Sequence, residues 1–136
     1  MNYEWSEKLS IGNIEIDHQH QELLKYLNLL MVAVKQNNTE EEINRLFNFL
    51  KGYIAAHFSS EEKLMLKYKY PEFNSHKAEH ENFSLMFNQF DLAKSEGASE
   101  ILINKVQKFL HGWWVKHINQ TDRSFGDFLK KQKDLG

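Results

Sequence analysis

The 136-residue chain carries 17 basic and 19 acidic side chains, a net charge of −2 with neutral histidines, and no cysteine. With no basic block in the chain nothing points to electrostatic binding of nucleic acid, and the lack of cysteine excludes a disulfide framework or a thiolate metal site. An apolar share of 41% with ten Phe points to a single globular domain over residues 1–136 with an aromatic-rich core.

Residues 1–16 place Trp5, Leu9, Ile11, Ile14 and Ile16 without a helical period, and read as an N-terminal arm. The first residues lack a basic stretch followed by an apolar run, and no segment approaches the length of a membrane span. A soluble cytoplasmic protein is the expectation. Leu24, Leu27, Met31 and Val34 recur at helical spacing and predict a first helix over 17–36, with Asp17 as N-cap and Asn37-Asn38 ending it. Thr39 and Glu42 form a capping-box pattern that opens a second helix to about Tyr68. Its stripe is Ile43, Leu46, Phe47, Leu50, Ile54, Leu64 and Tyr68, with Gly52 as a weak spot. Pro71 stops that helix and opens a third, which carries Phe83, Phe87 and Phe90 to about Ser95 before Gly97. The fourth starts near Ser99 with Ile103, Val106, Leu110 and Trp113, and a short fifth piece runs from Ser124 to about Lys131. The prediction is an all-α, up-down-up-down four-helix bundle over 17–122, with an N-terminal arm and a C-terminal segment over 123–136 that holds a short helix.

Polar groups interrupt these apolar stripes. Residues three, four or seven apart share a helix face. His20 falls in line with Leu24 and Leu27; His57 and Glu61 with Ile54 and Leu64; His76 and His80 with Phe83; His117 with Trp113. Asp122 follows His117 by five residues, off the regular repeat, which predicts a wide turn or a helix end there. His18 points away from His20 and reads as a surface residue, and His111 lies off the Trp113–His117 line and is left out of the set.

An unpaired buried carboxylate costs several kcal/mol, and each unsatisfied polar group adds about 1–3 kcal/mol. A domain stable by about 5–15 kcal/mol cannot absorb several of these. Taken singly, each histidine reads more readily as an ordinary hydrogen-bonded core residue, and Glu61 as a surface residue beside Glu62. Together, five imidazoles and two carboxylates suit a pair of divalent ions, with zinc, iron, copper, nickel and manganese all compatible with nitrogen and oxygen donors. Glu15 and His18 match one copy of the ExxH pattern of ferritin-like di-iron proteins, which need two.

At these residues the chain resembles the hemerythrin family in its single-domain bacterial form. The matching pieces are Asp17-His18-Gln19-His20, His57-Phe58-Ser59-Ser60-Glu61-Glu62, His76-Lys77-Ala78-Glu79-His80 and the run from Trp113 to Asp122, with Trp5 and Leu9-Ser10-Ile11-Gly12 similar to the family's arm. The resemblance implies two non-haem iron ions joined by an oxo or hydroxo bridge, binding O2 reversibly. It implies that His76, His80 and His117 hold one iron, that His20 and His57 hold the other, and that Glu61 and Asp122 bridge them. The second iron's open position would take O2, or NO, azide and other small anions.

Apolar residues must surround such a site, and Leu23, Phe58, Trp113, Trp114 and Ile118 are the candidates. Members of the family often carry leucine where this chain has Trp114, so this residue would either narrow the pocket, slow ligand entry or shield bound dioxygen, or point away from it. The function implied is oxygen storage, transport or delivery by a monomer that is not an enzyme. The alternatives are O2 or redox sensing through a separate partner, a di-iron oxidase or peroxide or nitric oxide reductase, and iron storage.

Overall fold

The computed structural model describes residues 4–36, 40–94 and 100–135. After a 3-10 turn at Glu7–Leu9 come α1 (Ile14–Lys35), α2 (Glu40–Lys67), α3 (Phe73–Lys94) and α4 (Glu100–Trp113). A π-helical stretch, Trp114–Thr121, then leads directly into α5 (Asp122–Leu135). Among the described residues there is no strand, and consecutive helices pack together as an up-down-up-down four-helix bundle. No helix is long and apolar enough to cross a membrane. The expected cap at Thr39, the helix end at Asn37-Asn38 and the break at Gly97 lie outside the described residues, as do the side chains of Val34, Ile103 and Trp114.

The first helix begins three residues before the expected start. Asn13, not Asp17, caps it, accepting the Ile16 amide at 3.0 Å. Asp17 instead ties down the arm, taking the Ser10 hydroxyl and, at 2.9 Å, the Ile11 amide. A short acidic side chain in a first helical turn serves either role, and the sequence does not say which. The second helix ends before Pro71 acts: Lys69 takes a left-handed conformation (φ 55°), and the Tyr70 amide returns to the Met65 carbonyl at 2.9 Å.

The buried side chains form two clusters. Leu23, Leu24, Leu27, Leu30, Phe47, Leu50, Ile54, Phe58, Phe83, Phe87, Leu110 and Ile118 belong to the larger. Ile11, Ile16, Met65, Tyr70, Phe125 and Leu129 form the smaller, where the arm meets α5. The expected fifth piece is thus continuous with the fourth helix, and Phe125 and Leu129 turn inward from it. The close approach of arm and helix explains Gly126, where a Cβ would lie 2.8 Å from the Ile11 Cα.

Candidate metal centre

Three of the long helices, the π stretch and α5 contribute to a polar cluster inside the bundle. His20 comes from α1, His57 and Glu61 from α2, His76 and His80 from α3, His117 from the π stretch and Asp122 from the start of α5. None of the seven is more than 2% exposed. The π stretch explains the five-residue spacing: the Asp122 amide bonds to the His117 carbonyl, so residues five apart sit over one another. The expected wide turn is this stretch, and the chain stays helical through it. His18 and His111 are exposed.

The two carboxylates divide the histidines into two groups. Glu61 Oε1 lies 2.6 Å from His76 Nε2 and 3.3 Å from His80 Nε2, while Oε2 lies 3.4 Å from both His20 and His57 Nε2. Asp122 Oδ1 lies 3.0 Å from His76 and 3.1 Å from His117 Nε2, while Oδ2 lies 3.2 Å from His20. Each carboxylate therefore turns one oxygen to His76, His80 and His117, and its other oxygen to the His20 and His57 side.

These donor atoms fit metal ions better than they fit one another. His20 Nε2, His76 Nε2 and all four oxygens of Glu61 and Asp122 are buried without a hydrogen-bond partner, despite the short approaches. Two cis donors about 2.1 Å from a shared octahedral ion would be about 3.0 Å apart, close to most of the spacings observed. His80 and His117 sharpen the point. Their Nε2 atoms face each other at 3.1 Å, while their Nδ1 atoms face carboxylates of Glu62 and Glu79 at 3.0 and 3.1 Å. Protons on both Nδ1 atoms leave two opposed lone pairs, which a cation between them would satisfy.

The electrostatics of the protein alone show the same need for positive charge. Burial disfavours a protonated His20, yet Asp122 and Glu61 carry its pKa up to about 10. His76 rises to about 10 by the same opposition of burial to the two carboxylates. Burial, reinforced by His20, pushes His57 down to about 3. Burial and Asp122 both favour a neutral Glu61, but the imidazoles of His20, His76 and His80 hold it well below the usual carboxylate range. Asp122 is also buried, and is held low by His117 and His20. Without metal, protons on imidazoles do what cations would otherwise do.

Aromatic faces cover one side of the cluster. Phe58 stacks on the His80 ring at 3.9 Å between centroids, and Trp113 on the His117 ring at 3.8 Å. Phe58, Leu23 and Ile118 are buried in the larger hydrophobic cluster and Trp113 is half-buried against it, while the Trp114 side chain is outside the described residues. On the other side Tyr70 and Phe125 approach His76 edge-on.

Four residues around the site are not evident from sequence periodicity. Gln19 meets His57 Nδ1 at 2.8 Å, Glu62 meets His80, Glu79 meets His117, and the Thr121 hydroxyl holds Glu79 at 2.9 Å. His117 keeps Glu79 below the usual carboxylate range against the upward push of burial, with help from Thr121. The one available signal is adjacency: Gln19, Glu62 and Glu79 each neighbour a candidate ligand in the chain.

Residues 12–129 match the family model of the hemerythrin HHE cation binding domain. A bacteriohemerythrin of Methylococcus capsulatus is 34% identical over 83% of this chain and 85% of its own length. One from Stenotrophomonas maltophilia is 29% identical over 93% of this chain and 80% of its own. A crystal structure of wild-type hemerythrin superposes with a TM-score of 0.77 at 26% identity, covering 92% of this chain and 95% of that one. With its buried His, Glu and Asp cluster and its four-helix bundle, the chain belongs to the hemerythrin family.

Proposed function

We propose that the protein binds O2 reversibly at a carboxylate-bridged di-iron centre, for storage, transport or delivery. The observation that carries this is the division of the Glu61 and Asp122 oxygens between two groups of imidazoles. His76, His80 and His117 would hold one ion, His20 and His57 the other, and the two carboxylates would span both. When bound, two ferrous ions supply dioxygen with two electrons.

The chain's own contribution is to hold and to seal. The side with two imidazoles has one protein donor fewer, which leaves room there for a small ligand. Phe58 and Trp113, stacked on His80 and His117, would form an apolar cover with Leu23 and Ile118 of the same hydrophobic cluster, limiting the water and protons that promote irreversible oxidation. Binding rather than turnover is favoured because the residues around the donors are mainly apolar and aromatic.

The test is an optical spectrum of the iron-loaded protein, reduced without air, exposed to O2, then purged with inert gas. A visible charge-transfer band that appears with O2 and vanishes on purging is the expected result. Direct and irreversible oxidation without such a band would replace this reading with an oxidase, a redox sensor or a storage protein.

A further inference from the structure

The two groups of imidazoles differ in what stands behind them. His80 and His117 each face a carboxylate through Nδ1, and the Glu79 carboxylate is itself held by Thr121. His57 faces an amide. Ser60 donates its hydroxyl to the Ala56 carbonyl at 3.1 Å, so its oxygen receives the Gln19 Nε2 at 3.3 Å. That fixes the Gln19 oxygen toward His57 Nδ1. His20 Nδ1, like His76 Nδ1 in the other half, is buried with no hydrogen-bond partner. One half of the cluster is thus backed by two anions, and the other by one neutral dipole.

A carboxylate that accepts an imidazole N–H makes the opposite nitrogen a stronger donor and adds negative charge near the ion. An amide oxygen orients the ring equally well without adding charge. Building on the dinuclear reading above, we propose that the two halves load in order, with the His76, His80 and His117 half filling first. Glu62 and Glu79 are the positioning residues that set this order, and Gln19 keeps the second half weaker. The chain then has a stable one-ion state, in which the half meant for the exogenous ligand is the one that empties first.

The metal-free full chain is titrated with Zn2+, a redox-inert probe, against a chromophoric chelator, while NMR of the histidine side chains reports which rings respond. The expected result is two resolved steps, with His76, His80 and His117 shifting in the first and His20 and His57 in the second. E62Q combined with E79Q should weaken the first step by about 10–100-fold and leave the second nearly unchanged. Both glutamates touch solvent, so the core is left intact. Q19E should strengthen the second step and bring the two closer together. Simultaneous filling, the reverse order, or equal weakening of both steps in E62Q/E79Q would overturn the inference while leaving a dinuclear site in place. Fewer than two ions bound per wild-type chain would instead overturn the dinuclear reading, and this inference with it.

Discussion

Glu61 and Asp122 place two negative charges where water cannot reach, and the imidazoles answer with protons when no metal does. His20 and His76, raised from 6.5 to about 10, contribute stability that is complete below pH 6.5 and is lost as pH rises through 10. His57, lowered to about 3, acts in the acid range, so the alkaline window belongs to the other two. The urea midpoint of the metal-free protein should therefore fall between pH 6.5 and 10, while that of the iron-loaded protein, whose rings offer lone pairs instead, should fall much less. Parallel curves would contradict this. Phe58 gives a second residue-scale expectation, since its ring lies flat on His80. F58A should cost about 3–5 kcal/mol and shorten the lifetime of the O2-dependent visible band; an unchanged lifetime would remove Phe58 from the cover. Six of the seven candidate ligands were legible because each interrupts an apolar stripe on its own helix, and Asp122 only through the family resemblance. Gln19, Glu62, Glu79 and Thr121 were not, because each acts on a ring or carboxylate carried by another helix, a relation fixed only by packing.

At the scale of the element, apolar periodicity predicted the four long helices, and the errors fell at their ends. Asp17 had the chemistry of a cap but serves the arm, and Pro71 stands beyond a helix already closed by Lys69. Both outcomes depend on backbone geometry that residue type alone does not specify. The five-residue step from His117 to Asp122 was legible as a departure from the α repeat, but its form was not: a wide turn and a helix end leave the same spacing. Lys69 offers a direct check on its helix end. A left-handed backbone costs an L-residue with a side chain roughly 1–2 kcal/mol relative to glycine. K69G should raise stability by about 1 kcal/mol without changing metal stoichiometry, measured by urea denaturation and metal analysis. A loss of stability would show that the Lys69 side chain is needed there.

At the scale of the molecule, short connections and helix count made the bundle legible, whereas the contact between arm and α5 was not, because it joins segments more than a hundred residues apart. Gly126 is where that contact is tightest. G126A must push the Ile11 backbone away and should cost about 1–3 kcal/mol. G52A and G112A, whose added Cβ would meet nothing within 4 Å, should each gain up to about 1 kcal/mol from helix propensity. A neutral G126A would mean the arm is loosely held. The same contact bears on how the protein is made. Ile11 and Ile16 leave the ribosome more than a hundred residues before Phe125 and Leu129, which close over them. The cluster of seven candidate ligands, of which Asp122 is the last in the chain, is therefore closed only after Leu129 has emerged, so iron would enter a bundle already synthesised and not a partial one.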